Sequence, residues 1–593
     1  MNISFKNLID SHFLALLLSP IAAAAVGLVG IAPFIDPSTR LLLLLVVSAY
    51  ATFIPAFITL RLPRTNRDWL EPIIPFSFVY LLYYPLRTLF FFLFPEINDG
   101  LVFPSLYPFS IDLFINTTIL FTSAWIFLFV SYYWVKGTGD LKRLHNLWSS
   151  LRPHGLVWKT NSIFIIGAIS VIWLYFNGQF SAWIEGPEQT NKLHGVVFYL
   201  SQFPFYAMTL ALAFRTKHYD FPKPLKWLFV LSVFSYSFLT GSKLLLTSFF
   251  IILVYTHHYI VRRLSGPALL CLTIVFCTVL FPGVHLYRES FPPALELRQL
   301  HDLQENVGVF FNAFLPQEEA LIRQSEIILQ RPLNDQEIQR AHAVSETIPI
   351  ARQRQSTIEL LENSIAAIKN APLAPDEHAR LERILVPPNN SFSIFSPSEV
   401  LFEKELKRIR DNSKFQFARL FMNRFIGADS LAAAIQTTPE TVGFQHGATY
   451  GLIPAAIIPS MFWHNKPNPS LCGWFARHYK GDPVGSATCT ATTVFAEGYI
   501  NAGTFGILII AVIYGLMLGF VAMSCLHPQK IVPTALTLFL FLFIRLLKFE
   551  DNMASIIGGL VKHGIVLTAI FAFLCTDKAL FSLVKRVKTL FSR

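Results

Sequence analysis

Charge is scarce in this chain. Asp, Glu, Lys and Arg together make up 14 % of its 593 residues, where a soluble protein carries about 25 %. Too few polar groups exist to cover a water-facing surface, which excludes a cytosolic enzyme and a disordered chain. Cysteine is also rare: six residues cannot form the framework of a secreted disulfide scaffold of this length. Nucleotide-binding motifs are missing, with neither a P-loop nor a GxGxxG after a strand. There is no HExxH and no paired CxxC, so no metal or other cofactor is expected. No GxSxG elbow is present and no solenoid-length repeat. The two halves are not similar, unlike those of many transporters. What the chain has instead is 53 % hydrophobic and 15 % aromatic residues, with a mean hydropathy of +0.49. Most of it must face lipid. Its net charge of +11 does not point to nucleic acid, because a polytopic membrane protein accumulates Lys and Arg in its cytoplasmic loops.

A helix needs roughly 20 apolar residues to cross a bilayer. About twelve segments qualify, roughly 13–34, 40–60, 73–95, 111–135, 162–178, 195–214, 225–239, 242–260, 267–285, 505–525, 531–547 and 555–576. The first is long enough to span and others follow it, so it reads as a span rather than a cleavable signal. Charge orients the set. Arg61, Arg64 and Arg67 occupy one connection, and Lys136, Lys142, Arg143, Arg152 and Lys159 occupy the next on the same side. Arg215, Lys217, Lys223 and Lys226 follow, then Arg262 and Arg263, then a tail with Lys585, Arg586, Lys588 and Arg593. The intervening connections are poor in both residue types. This alternation predicts an all-α polytopic membrane protein with both termini in the cytoplasm.

Four parts result: a membrane domain with nine spans (1–285), a helical soluble insert outside (286–420), an outside or re-entrant region (421–504), and three final spans with a cytoplasmic tail (505–593). Helix starts are legible in the insert. Ser396-Pro397-Ser398-Glu399 is a capping box with Pro at the first helical position, and Asn334 with Glu337 opens another helix similarly. The stretch from Tyr450 to Trp463 is apolar but interrupted by Pro454 and Pro459, which suits a segment dipping partway into the membrane against protein. Cys472 and Cys489 both fall outside, where they could join in a disulfide closing a loop of about 17 residues, a link that stabilises by about 3 kcal/mol. Cys271, Cys277, Cys525 and Cys575 fall in or beside spans and read as packing residues.

Cations accumulate where orientation by charge should deplete them, near the outer face. Lys243 lies in the turn before the eighth span. Arg288, with His285 before it, follows the ninth. Arg424 sits in MNRF, Lys466 in WHNKP, and Arg545 and Lys548 share a helix face at the outer end of the eleventh span. Arg87 is inside the third span. Taken singly, each reads as a snorkelling residue or a structural ion pair. Together they make a clamp for a lipid-linked diphosphate, for which the planar guanidinium fork is suited. Two residues could take a proton: His446 in QHGATYG, poised near neutral pH, and Glu497 in FAEGY, just before the tenth span. Their bland alternatives are a loop histidine bonded to backbone and an ion-paired carboxylate.

Three stretches resemble the Wzy-like family of bacterial oligosaccharide repeat-unit polymerases. HGATYG followed by AIIPSMFWHNKP resembles the family's Gly-rich turn, Ile-Pro and aromatic-x-x-Lys-Pro. FAEGYINAGTFGILI (495–509) resembles the acidic residue, aromatic, Asn and paired Gly that open a late span. The Thr240-Gly241-Ser242-Lys243 turn resembles the family's Gly-Ser-basic turn, and Arg424 also fits. The likeness covers roughly 240–285 and 420–525 and leaves the insert unassigned. Ser460 stands where the family often has Arg after Ile-Pro, Lys243 stands where Arg is common, and Thr490 and Thr492 stand where related O-antigen ligases carry His, which argues against a ligase.

The resemblance implies a GT-C-like fold in the bacterial inner membrane. It implies polymerisation, at the outer face, of undecaprenyl-diphosphate-linked oligosaccharide units into an O-antigen or exopolysaccharide, with lipid diphosphate as leaving group and no nucleotide sugar or metal. Lys243, Arg288, Arg424, Lys466 and Arg545 would bind that donor, and His446 or Glu497 would act on the acceptor hydroxyl. Trp463, Tyr450, Tyr479 and Tyr499 could stack on sugar rings. Membrane lipids and a chain-length regulator are the implied partners. A flippase for lipid-linked glycans, or a structural subunit of an export complex, is the alternative from another class.

Overall fold

The computed structural model describes residues 35–62, 67–93, 110–138, 155–176, 197–216, 219–240, 242–280, 425–458, 466–481, 489–526 and 531–575, with isolated positions at 19, 283, 336, 337 and 463. The chain divides into two units. One comprises Met1–His285, Lys414–Phe475 and Cys489–Arg593, the other Leu286–Ser413 and Ala476–Thr488. In the second unit the described structure is a π-helix, Ala476–Lys480, and the helical pair Gln336 and Glu337. The expected capping box at 396–399 and most of the insert lie outside the described residues.

Among its described residues the first unit is helical, save for a two-residue antiparallel ribbon of β1 (Arg215–Thr216) and β2 (Tyr219–Asp220). Its helices are α1 (Pro37–Arg61), α2 (Ile73–Tyr83), α3 (Pro85–Leu93), α4 (Ile111–Thr138), α5 (Leu156–Phe176), α6 (Phe203–Ala213), α7 (Lys223–Leu239), α8 (Lys243–Thr256) and α9 (Gly266–Val275). After the insert come α10 (Gly427–Thr437), α11 (Ile453–Ile457), α12 (Cys472–Phe475), α13 (Val494–Cys525), α14 (Pro533–Leu547) and α15 (Met553–Leu574).

Among the described residues seven helices are long and apolar enough to cross a membrane: Pro37–Arg61, Ile73–Leu93, Ile111–Gly137, Leu156–Leu174, Lys243–Val261, Val494–Cys525 and Met553–Leu574. The expected number was about twelve. The shortfall has a physical pattern. Val197–Ala213, Gly266–Val275 and Pro533–Leu547 are apolar but shorter, and α7 has 17 residues, so the expected segments at 195–214, 225–239 and 531–547 form helices close to their expected bounds but shorter than the seven. The expected span at 13–34 lies almost wholly outside the described residues. Large apolar side chains stand exposed along these helices, among them Val46, Ile169, Leu231, Ile509 and Ile565, as lipid contact requires.

Small residues bring the helices together where lipid offers no driving force for association. Gly515 and Gly519 of α13 lie against the carbonyls of Leu128 and Tyr132 on α4, leaving no room for a side chain. Gly558 of α15 likewise abuts Ala456 of α11. Between α2, α4, α13 and the α14–α15 turn lies an aromatic core of Phe76, Tyr80, Tyr84, Trp125, Phe495, Tyr514 and Phe549. Three of its polar tips are satisfied: the Tyr80 hydroxyl donates to the Phe121 carbonyl at 2.5 Å, the Trp125 ring to that of Ala51 at 2.9 Å and the Tyr514 hydroxyl to that of Leu546 at 2.5 Å.

The helix ends that flank three of the basic connections meet in one cluster. Arg67 donates to the carbonyls of Leu60 and Leu62 at the end of α1. Glu71 accepts from Lys136 and Tyr132 of α4. Asp68 accepts from Tyr259 at 2.9 Å, and His258 Nε2 lies 3.2 Å from it, in the π-helical turn His257–Val261 that ends α8. Burial works against the Asp68 carboxylate, yet hydrogen bonding and charge from His258, with Tyr259 and a backbone N–H, hold it below the usual carboxylate range.

Candidate functional site

α13 is two helices in series. At Ala502 and Gly503 the backbone leaves helical geometry, and Gly503 has φ +61° and ψ −144°, a region that only glycine enters without strain. The second glycine, Gly506, packs so closely under the Gly498 carbonyl that any side chain would collide. The short first helix, Val494 to Asn501, is capped by the Thr493 side chain, which accepts from the Ala496 N–H.

Onto this short helix the loop before α11 is strapped. The Gln445 and His446 N–H groups donate to the carbonyls of Ile500 and Asn501 at 2.9 and 3.2 Å. Asn501 accepts from the Gly447 N–H at 2.8 Å and donates to Thr449 Oγ1 at 2.7 Å. The Thr449 hydroxyl donates to Glu497 Oε1 at 2.8 Å, and Glu497 Oε2 accepts from the Met553 N–H at 2.6 Å. Glu497 is fully buried. One carboxylate thus holds the loop, α13 and the positive N-terminal end of α15 together. His446, by contrast, is exposed, with φ +46°. Its ring lies 6.3 Å from that of Phe444, which lies 6.3 Å from that of Tyr499. Of the proline-interrupted stretch 450–463, positions 459–462 lie outside the described residues; Ala448–Ile457 is a 3-10 turn running into α11, too short to cross a membrane.

The disulfide joins Cys472 to Cys489 across Cα atoms 4.7 Å apart. The remaining cysteines described, Cys271, Cys525 and Cys575, are free thiols.

Of the expected cations, the structure sets Lys466 within electrostatic reach of Lys562, which the sequence reading missed, and Arg545 against His563, the residue after Lys562. Lys466 donates to the Ile458 carbonyl at 3.1 Å. Partial burial, and then the charge of Lys562, hold its ammonium below the ordinary lysine value. Lys562 lies 5.5 Å from the centre of the Tyr199 ring. Arg545 donates through Nε to His563 Nε2 at 2.8 Å, and His563 Nδ1 is 2.5 Å from the Tyr206 hydroxyl. Among the described residues no carboxylate pairs with Lys466, Arg545 or Lys562.

Two other cations belong to structural pairs. Arg87 is buried with Asp429 of α10, to which Nε and Nη2 donate at 2.9 and 2.7 Å, and its guanidinium stacks on Phe91. Lys548, expected to share a face with Arg545, lies past the end of α14 and bridges to Asp551 at 3.0 Å. Lys243 takes the first position of α8, behind its Ser242 cap, and is half-buried. Arg288 and Arg424 lie outside the described residues. Lys562 and His563 did carry a signal: they are adjacent ionisable residues inside an apolar helix, which default to function.

A family model described as a domain of unknown function, DUF8712, matches residues 395–575. That range includes His446, Lys466, Glu497, Arg545 and Lys562. Comparison with curated proteins gave no match, and neither did comparison with solved structures.

Proposed function

We propose that the protein is a Wzy-like oligosaccharide repeat-unit polymerase of the bacterial inner membrane. In this reading it has about twelve spans in a GT-C-like arrangement, both termini are cytoplasmic, and undecaprenyl-diphosphate-linked units are joined at the outer face. The observation that carries the reading is the placing of Lys466 within electrostatic reach of Lys562, and of Arg545 against the adjacent His563, with no described carboxylate on any of the three cations. Cations held by apolar helices are costly unless an anion joins them. A lipid diphosphate has the charge and the location, and its charge grows as it leaves, so preorganised cations favour the transition state.

The reaction forms a bond between the acceptor's hydroxyl oxygen and the anomeric carbon of the growing chain. The bond from that carbon to the phosphate oxygen breaks, and its electron pair departs with the lipid diphosphate. The hydroxyl proton passes to a base. His446 is the group suited to take it, being exposed on a turn whose backbone is fixed. Both oxygens of Glu497 are already engaged, which suits a carboxylate that positions the His446 loop. Phe444 and Tyr499 beside His446 offer faces for a sugar ring. Lys243, Arg288 and Arg424 remain donor-binding residues on the strength of the resemblance, as does a chain-length regulator as partner. A flippase would use the same cations but has no task for His446.

The test is product length. Purified protein in proteoliposomes presenting lipid-linked repeat units should yield a ladder of longer lipid-linked chains. Units that change leaflet but stay single would refute the reading.

A further inference from the structure

An arginine near the end of a span ordinarily reaches outward to headgroups. Arg545, two residues before the end of α14, does the reverse. Its side chain runs past Gly559, where an added Cβ would lie 3.0 Å from Cδ, and gives its Nε–H to His563. Gly559 and His563 are six and ten residues into α15, so they lie about 9 and 15 Å from its start. The guanidinium is therefore drawn inward along the helix.

The partner that draws it is uncharged. Nε2 of His563 accepts from Arg545, so the ring's one proton is on Nδ1, which donates to the Tyr206 oxygen at 2.5 Å. Tyr206 is fixed in turn by the ring of Phe541 at 4.1 Å and that of Phe203 at 5.9 Å. A carboxylate in place of His563 would neutralise Arg545 and compete with a ligand. A neutral imidazole orients the fork and leaves its charge unspent. The terminal nitrogens of Arg545 have no protein partner among the described residues.

We infer that Tyr206 and His563 are positioning residues, an uncharged pair that holds Arg545 inside the bundle by its Nε so that its outer edge shares one phosphate-bearing anion with Lys562 and Lys466. This rests on the anion site of the proposed function but not on polymerisation.

The test is binding by the full chain in phosphatidylcholine nanodiscs, probed with undecaprenyl diphosphate, undecaprenol and inorganic diphosphate. Wild type should prefer undecaprenyl diphosphate to undecaprenol. Inorganic diphosphate binding as tightly would assign the site to a free anion, and weaker binding to a lipid headgroup. Arg545→Ala and His563→Leu should each weaken undecaprenyl diphosphate about tenfold or more, as loss of a hydrogen bond to a charged group does. His563→Gln should recover most of that loss, because its carbonyl oxygen can accept from Arg545 Nε. The double variant Arg545→Ala/His563→Leu should bind no worse than Arg545→Ala alone. Wild-type binding by His563→Leu, multiplied losses in the double variant, or no preference for diphosphate over undecaprenol would overturn the inference. If the leucine variant does not fold, Tyr206→Phe replaces it: binding should weaken several-fold with Arg545 present and not at all on the Arg545→Ala background. Diphosphate binding without polymer would refute the proposed function and leave this assignment standing.

Discussion

Replacing Glu497 separates a carboxylate that holds a loop from one that takes a proton. Its two oxygens accept from the Thr449 hydroxyl and the Met553 N–H, and no part of it reaches the surface. Glu497→Ala strands both donors. Each buried unsatisfied group costs about 1–3 kcal/mol, so the loss is about 2–6 kcal/mol before any cavity is counted. Glu497→Gln is gentler. Its carbonyl oxygen can still accept from Met553, and its amide can face Thr449 Oγ1, which is able to accept. What goes is the carboxyl group at the start of α15 and one acceptor for the Thr449 hydroxyl, about 1–2 kcal/mol together. The measurements are thermal unfolding of purified protein, the rate at which diethyl pyrocarbonate modifies His446, and polymer formation in proteoliposomes. The glutamine variant should unfold at slightly lower temperature, keep the His446 loop in place and lose less than about tenfold in rate. The alanine variant should release the loop, speed His446 modification and make no polymer. A glutamine variant as stable as wild type but slower by about two to four orders of magnitude, the loss expected for a general base, would refute the reasoning and make Glu497 the proton acceptor.

Arg87→Met should cost about 3–5 kcal/mol by leaving Asp429 buried and unpaired, while Arg87→Met with Asp429→Leu should recover much of that; unfolding temperatures of the single and double variants check it. Asp68 has a depressed pKa in the folded protein, so its stabilising effect is complete above the unfolded value of about 3.9 and is lost as pH falls through the lower folded value. Asp68→Asn should therefore lower stability at pH 7 and flatten its decline in acid below about pH 4, read by thermal unfolding across pH. Gly503→Ala, at φ +61°, should destabilise by about 1–3 kcal/mol and loosen the 445–449 loop, whereas Gly564→Ala, which meets no neighbour, should be nearly neutral.

The sequence made the membrane class plain, because apolar runs of spanning length leave no other solvent. Among the described residues seven helices are long and apolar enough to span, against about twelve segments read from the sequence. The segments at 225–239 and 531–547 form α7 and α14 within two residues of their expected bounds, but at 17 and 15 residues both are shorter than the roughly 20 that a span needs. Gly503 and Gly506 were recognisable as a motif, yet that they fold the start of α13 back under the His446 loop is a matter of backbone geometry. Charge showed where cations lie but not how they are paired. Arg87 and Arg545 look alike in sequence, and only the fold gives Asp429 to one and a neutral histidine to the other. Lys562 lies within a span, away from the outer connections in which the other cations were expected.

The most direct measurement counts two products of one event. In proteoliposomes supplied with isotopically labelled lipid-linked repeat units, mass spectrometry can quantify undecaprenyl diphosphate released and glycosidic bonds formed. The account predicts one lipid diphosphate per new bond, both suppressed together by Lys466→Ala, Lys562→Ala and Arg545→Ala. Repeat units that cross the bilayer with no lipid diphosphate released, or polymer that forms unchanged in all three variants, would contradict it.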